Sequence, residues 1–149
     1  MGARANEIVK DLWIGDMHAA VDPEFFKKYN IKAVVNVTPD VEMPFKNLGV
    51  EYLHLNIDDS LKKKDIDKMI FYLPMAVEFI KKKRAEGKNV LVNCHMGYQR
   101  SACVVVAYLS IHHKMTIKEA VALVLKRRPV AFHHGSNINF LESLMFYAE

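Results

Sequence analysis

Cysteine is scarce in this chain. Two residues, Cys94 and Cys103, among 149 cannot build the disulfide framework of a small secreted domain. Long hydrophobic runs are missing too. The longest, Ala102 to Leu109, falls far short of the roughly 20 residues that cross a bilayer. Met1 to Lys10 is polar and mixed, without the apolar centre of a signal peptide. These absences lead us to expect a reducing compartment, cytoplasmic and also compatible with the nucleus, and no membrane association. No repeat, low-complexity segment or Pro/Gly/Ser-rich linker divides the sequence, so one domain over residues 1–149 is expected. Charge of one sign is also lacking. A formal +4 suits an acidic partner but is too weak to imply nucleic acid.

What is present is an ordinary globular mixture, 51% hydrophobic and 26% charged, which excludes disorder as the main state. Ile8–Gly15 reads as a short strand ending at a glycine. Asp22-Pro23-Glu24 is a helix start, with an N-cap followed by proline at the first helical position, and the helix should reach about Tyr29. Ile31–Val37 and Val50–Ile57 read as strands. From about Asp65 a stripe of Ile66, Met69, Ile70, Leu73, Val77 and Ile80 predicts a helix, kinked at Pro74 and ended at Gly87. Asn89–Asn93 is a short apolar strand. Thr116 and Glu119 form a capping box for a further helix. Ser136 is placed to cap a last one, with Ile138, Leu141, Leu144, Met145 and Ala148 on its core face. Alternating strands and helices predict an α/β fold: a central mixed, mostly parallel sheet flanked by helices on both faces.

Three basic clusters read as solvated faces or helix ends: Lys62–Lys64, Lys81–Arg84 and Lys126–Arg128. Cys103 reads as a buried small hydrophobe, with a disulfide that shields Cys94 as the redox alternative. The pairs His112-His113 and His133-His134 have no supporting carboxylate or cysteine spacing and read as surface histidines, so no metal is expected.

The informative stretch is Cys94-His95-Met96-Gly97-Tyr98-Gln99-Arg100-Ser101, between a strand and an apolar run. Five residues between cysteine and arginine can curl so that successive backbone N–H groups point inward and hold phosphate oxygens. A following helix N-terminus adds positive potential. Gly97 permits the turn, and Arg100 can grip two oxygens through its planar fork. Residues His95 to Arg100 would therefore bind the phosphate group. The same field favours a thiolate at Cys94, because cysteines at such positions titrate at roughly 3.5–7.5 rather than near 8.5. Cys94 is then a nucleophile, and the Ser101 hydroxyl can hydrogen-bond the thiolate when sulfur leaves. Met96, Tyr98 and Gln99 should line the pocket rim.

This loop is the C-x5-R-S pattern of cysteine-based phosphatases, and the resemblance to dual specificity protein phosphatases covers nearly the whole chain. Leu12-Trp13-Ile14-Gly15 resembles the family's opening strand and Val34–Thr38 its second. Ser101-Ala102 with Ala107-Tyr108-Leu109 resembles the helix after the loop, which overrides the β propensity of Val104–Val106. Met115-Thr116, Glu119-Ala120 and Lys126–Pro129 resemble the next helix and its end, and Asn137 with Phe140 the family's Asn-x-x-Phe. The resemblance implies metal-independent, cofactor-free hydrolysis of phosphotyrosine and phosphoserine/phosphothreonine in proteins, MAP kinases or other signalling proteins among them. The length implies a small, atypical member without a kinase-docking domain; it says nothing of oligomeric state. By the same resemblance the general acid is Asp59 rather than Asp58, which reads as a turn residue.

One departure stands out: the family usually has histidine before the nucleophile, and here it is Asn93. Asparagine can still hydrogen-bond the loop backbone but carries no charge, so a less strongly favoured thiolate with retained activity is expected. The same loop also serves RNA 5′-phosphatases and phosphoinositide phosphatases. The latter usually carry lysine inside the loop, and this chain has none. A phosphoprotein-binding pseudophosphatase would be expected had Cys94 been replaced.

Overall fold

A computed structural model describes residues 3–148. Its core is a five-stranded sheet in the order β1-β2-β5-β3-β4. Strand β1 (Ala5–Val9) pairs antiparallel with β2 (Leu12–Gly15), and β5 (Asn89–Asn93), β3 (Ile31–Asn36) and β4 (Glu51–His54) continue in parallel. The expected single strand over Ile8–Gly15 is thus a hairpin. Lys10-Asp11 makes the turn with Asp11 at φ 69°, and the Asp11 amide donates to Glu7. A Lys-Asp pair lacks the Asn-Gly or Asp-Gly signature of such turns, although aspartate tolerates the left-handed region.

Central β5 is buried along Val90, Leu91 and Val92, as a strand covered on both faces must be. Its side chains alternate: Val90 and Val92 enter the larger core, Leu91 the smaller. The larger core lies under α2 (Lys63–Ala85), α3 (Arg100–His112), α4 (Ile117–Arg127) and α6 (Leu141–Ala148). The smaller gathers Phe26 of α1 (Pro23–Lys28) with Ile31, Val34, Phe45, Val50 and Leu91. Helices therefore cover both faces, unequally. Helix α3 is buried from Arg100 through Leu109. A site enclosed by other helices and the sheet lets packing override the strand preference of three valines. No helix among the described residues is long and apolar enough to cross a membrane.

Several local expectations change. Helix α2 runs through Pro74 as one element, with Pro74 on the exposed side. Strand β4 stops at His54: the Leu55 amide still donates to Asn36 O at 2.8 Å, and the chain then leaves the ladder, with Leu55 and Ile57 fully buried. In the Lys81–Arg84 cluster only the first two residues are solvated. Lys83 is buried and pairs with Glu51 at 2.6 Å, and Arg84 donates to the Tyr108 hydroxyl and the Lys10 carbonyl. Ser136 does not cap α6, since its hydroxyl donates to the His133 carbonyl. On α6 the core face is Ser143 and Leu144, while Leu141 and Met145 are exposed.

Between α4 and α6 lies α5 (Ala131–Gly135), which is left-handed: Phe132, His133 and His134 have φ of 54°, 51° and 60°, and Gly135 follows at 85°. Left-handed backbone costs about 1–2 kcal/mol for each residue bearing a Cβ. Burial of Phe132 and a bond from the Asn137 amide to the Phe132 carbonyl hold the turn in place.

Candidate active site

Strands β2, β3, β4 and β5 run the same way, so the loops after Gly15, Asn36, His54 and Asn93 emerge at one end of the sheet. Ligand crevices of open α/β sheets lie at this end. The loop from Cys94 to Gln99 occupies its centre.

Four successive carbonyls of that loop are held from outside. His95 O accepts from the Met17 amide and Tyr98 O from the Phe132 amide, both at 2.8 Å. Gly97 O accepts from Arg128 Nε at 2.8 Å and Met96 O from Arg128 Nη2 at 3.0 Å. In a trans peptide the N–H points opposite the C=O. Fixing these carbonyls outward therefore turns the amides of Met96, Gly97, Tyr98 and Gln99 inward, a nest for an anion. Gly97 is required twice. Its φ is 72°, and a Cβ there would lie 2.8 Å from both the Gly15 carbonyl oxygen and Arg128 Nη2.

Cys94 is 3% exposed, and its Sγ lies 3.2 Å from the Ser101 hydroxyl at the start of α3. Arg100, also buried, donates through Nη1 to the Ile57 carbonyl at 2.8 Å. Its buried Nε has no partner among the described residues. A buried donor left over in this way calls for an acceptor, and an anion in the nest would supply one. Asp59, Cys94, His95, Met96, Tyr98, Gln99, Arg100 and His133 line one cavity of about 190 Å³.

Asp59 lines that cavity and Asp58 does not. The segment carrying them is tied at three places: Ile57 O to Arg100, the Asp58 amide and Ser60 hydroxyl to Asp65, and Asp59 Oδ1 to Asn139 Nδ2 at 2.9 Å. Asp65 is buried. Burial alone would raise its carboxyl, but the bonds from Ser60 and Asp58, with Lys64 and Lys68 nearby, outweigh it and hold the group below the usual carboxylate range. Gln99 faces the segment before α6, donating to Asn137 O and accepting from the Asn139 amide. It therefore braces the cavity wall from within, as well as lining it.

The catalytic domain model for dual specificity phosphatases matches residues 12–149. The chain belongs to that family. It is 34% identical over 137 residues to dual specificity protein phosphatase Mpk3 of Drosophila melanogaster, covering 91% of this chain and 32% of that protein. The chain thus spans about a third of that relative. Among solved structures, a mouse protein of the dual specificity phosphatase class complexed with zinc tungstate superposes with a TM-score of 0.85 at 27% identity, covering 97% of this chain and 86% of that one. A human tyrosine phosphatase-like serine/threonine/tyrosine-interacting protein does so at 0.82 and 27%, covering 97% and 96%.

Some residues are placed differently from the sequence reading. Asn93 does not bond the loop backbone. It faces Asn36 across the β3–β5 register, and its Nδ2 donates to Asn36 Oδ1 at 3.2 Å, where the Thr38 hydroxyl also donates. The His95 side chain pairs with Asp40 at 2.5 Å, and that bond, more than any other contact, holds the Asp40 carboxyl low. Cys103 is fully buried, and burial pushes its thiol up, which disfavours a reactive thiolate there.

Two residues of the candidate site were missed. Arg128 read as part of a solvated cluster, yet it is 1% exposed and donates to Gly97 O, Met96 O, Ala3 O and Asn6 Oδ1. His133 read as a surface residue; it is exposed, but at the cavity mouth. No spacing rule announces a left-handed turn.

Proposed function

We propose that this chain is a protein phosphatase that hydrolyses phosphotyrosine and phosphoserine/phosphothreonine through a phosphocysteine. The observation that carries the reading is Cys94 Sγ on the floor of an inward-facing amide nest, beside a buried arginine with one unpartnered N–H. The Cys94 thiolate attacks phosphorus in line and the P–O bond to the leaving group breaks. The loop amides and Arg100 stabilise the charge spread over the equatorial oxygens. Asp59 gives its proton to the departing oxygen. As a carboxylate it then takes a proton from water, which attacks phosphorus, and the S–P bond breaks. Ser101 donates to the sulfur as it leaves.

Phosphorylated signalling proteins, MAP kinases included, are the substrates this reading supplies. The test is turnover of para-nitrophenyl phosphate and phosphopeptides by wild type and Cys94→Ser. We expect turnover in wild type, none in the variant, and a phosphorylated Cys94 in acid-quenched wild type by mass spectrometry. Equal, zero turnover in both proteins sinks the enzyme reading in favour of a binding role. A tyrosine phosphatase-like interacting protein shares this fold, which is why the binding role is an outcome of the test.

A further inference from the structure

The left-handed turn α5 forms one wall of the phosphate cavity. His133 lies at the cavity mouth, with its ring centroid 6.0 Å from that of Tyr98 and nearly perpendicular to it, at 81°. The same turn is bonded to the phosphate loop through the backbone, Phe132 N–H to Tyr98 O at 2.8 Å. Three consecutive Cβ-bearing residues hold left-handed backbone here, and strain of this kind persists only where the surrounding structure enforces it. Phe132 is fully buried and anchors the turn below; His133 is exposed and does no packing of that kind. The backbone conformation thus lifts an aromatic ring to the rim.

We infer that His133 is a specificity-determining residue which, with Tyr98, forms an aromatic wall that favours phosphotyrosine over phosphothreonine. The inference rests on the phosphatase reading above. A phosphotyrosine places its phosphorus about one ring length from its backbone, so its ring must pass the rim when the phosphate reaches Cys94. An edge-to-face partner at that height gains contact with the ring. Phosphothreonine has no ring to meet the wall and brings its own backbone closer to the rim. His95, the other histidine at the cavity, is engaged with Asp40, so its ring is already committed while that of His133 faces the entrance.

The test compares kcat/KM for two peptides of identical sequence, one bearing phosphotyrosine and one phosphothreonine. Four proteins are used: wild type, His133→Gly, His133→Phe and Cys94→Ser. Glycine suits the left-handed backbone, so His133→Gly removes the ring without threatening the fold. We expect wild type to prefer phosphotyrosine, the preference to fall about fivefold to tenfold in His133→Gly, and His133→Phe to restore it. In His133→Gly the loss should fall on phosphotyrosine more than on phosphothreonine. An unchanged preference in His133→Gly, or no preference in wild type, overturns the inference and leaves the phosphatase reading intact. No turnover of either peptide by wild type, matching Cys94→Ser, overturns the phosphatase reading itself.

Discussion

The Cys94–Gln99 segment, proposed as the phosphate loop, and the Ile57–Ser60 segment, proposed as the acid loop, face each other across the same cavity but are held in opposite ways. In the phosphate loop the backbone is fixed: four consecutive carbonyls are held from outside, two of them by the buried Arg128. In the Ile57–Ser60 segment backbone ties are fewer, and side chains do most of the holding, through Arg100, Asp65 and Asn139. Cys94 and Arg100 are buried, whereas Asp59 is exposed. The difference fits the two tasks. Binding a phosphoryl group needs amides pre-oriented to within a fraction of an ångström. Delivering a proton needs an exposed carboxyl that can exchange with water. Damage to the first loop should therefore impair every substrate, and damage to the second only those whose leaving group needs a proton.

The largest effects should come from the first loop. Gly97→Ala forces a Cβ against the Gly15 carbonyl and Arg128, at a φ that L-residues seldom adopt. We expect kcat/KM to fall on the order of 10²-fold or more, since misplacing such a site by about 1 Å has that effect. The loss should be equal for para-nitrophenyl phosphate and phosphothreonine peptide. Arg128→Met leaves Gly97 O, Met96 O, Ala3 O and Asn6 Oδ1 without their donor. Leaving a buried acceptor without its donor costs about 1–3 kcal/mol, which urea unfolding would measure, and activity should fall for all substrates alike. A loss confined to one substrate would contradict a purely backbone role.

How much of this was legible beforehand follows the same division. Cys94, Gly97, Arg100 and Ser101 could be picked out because their chemistry is compressed into eight consecutive residues between a strand and a helix. Strand β5 and the α4 capping box were likewise local patterns. The clamp on that loop was not legible. Arg128 lies 31 positions from Gly97, and an arginine in a basic run carries no mark of burial. The Asp65 anchor was hidden by its place in an acidic first turn, where the dipole alone would account for it. The left-handed α5 was invisible because its sequence, Phe-His-His, contradicts the conformation it adopts. Asn93 was misread for a related reason: its partner is set by strand register with Asn36, 57 positions away.

The second loop predicts a smaller and substrate-dependent loss. Asp59→Asn should lower kcat on phosphothreonine peptide by about 10²-fold, at the low end of general acid contributions. The loss on para-nitrophenyl phosphate should be much less, because nitrophenolate leaves without protonation. Activity of a wild type that needs a protonated acid declines as pH rises, and the variant should lack that decline in kcat. An equal loss on both substrates would mean that Asp59 serves binding or structure instead.

Asp65→Asn should have the smallest effect, and its pH dependence makes it informative. Asparagine keeps one acceptor for the Asp58 amide but replaces with a donor the oxygen that faces the Ser60 hydroxyl. We expect kcat on phosphothreonine peptide to fall roughly threefold to tenfold with KM unchanged, and stability to drop by about 1 kcal/mol, the scale of one hydrogen bond. Because the folded-state carboxyl sits below its usual value, its ionised form is what the fold stabilises. That contribution is fully present above the unfolded carboxylate value, about 3.9, and is lost as pH falls through the lower folded-state value. Urea unfolding should therefore show the gap between wild type and variant near pH 6.5 and see it narrow as pH falls below about 4. A gap that stays constant to low pH would place the anchor in the geometry of the turn, with the charge of Asp65 irrelevant to it.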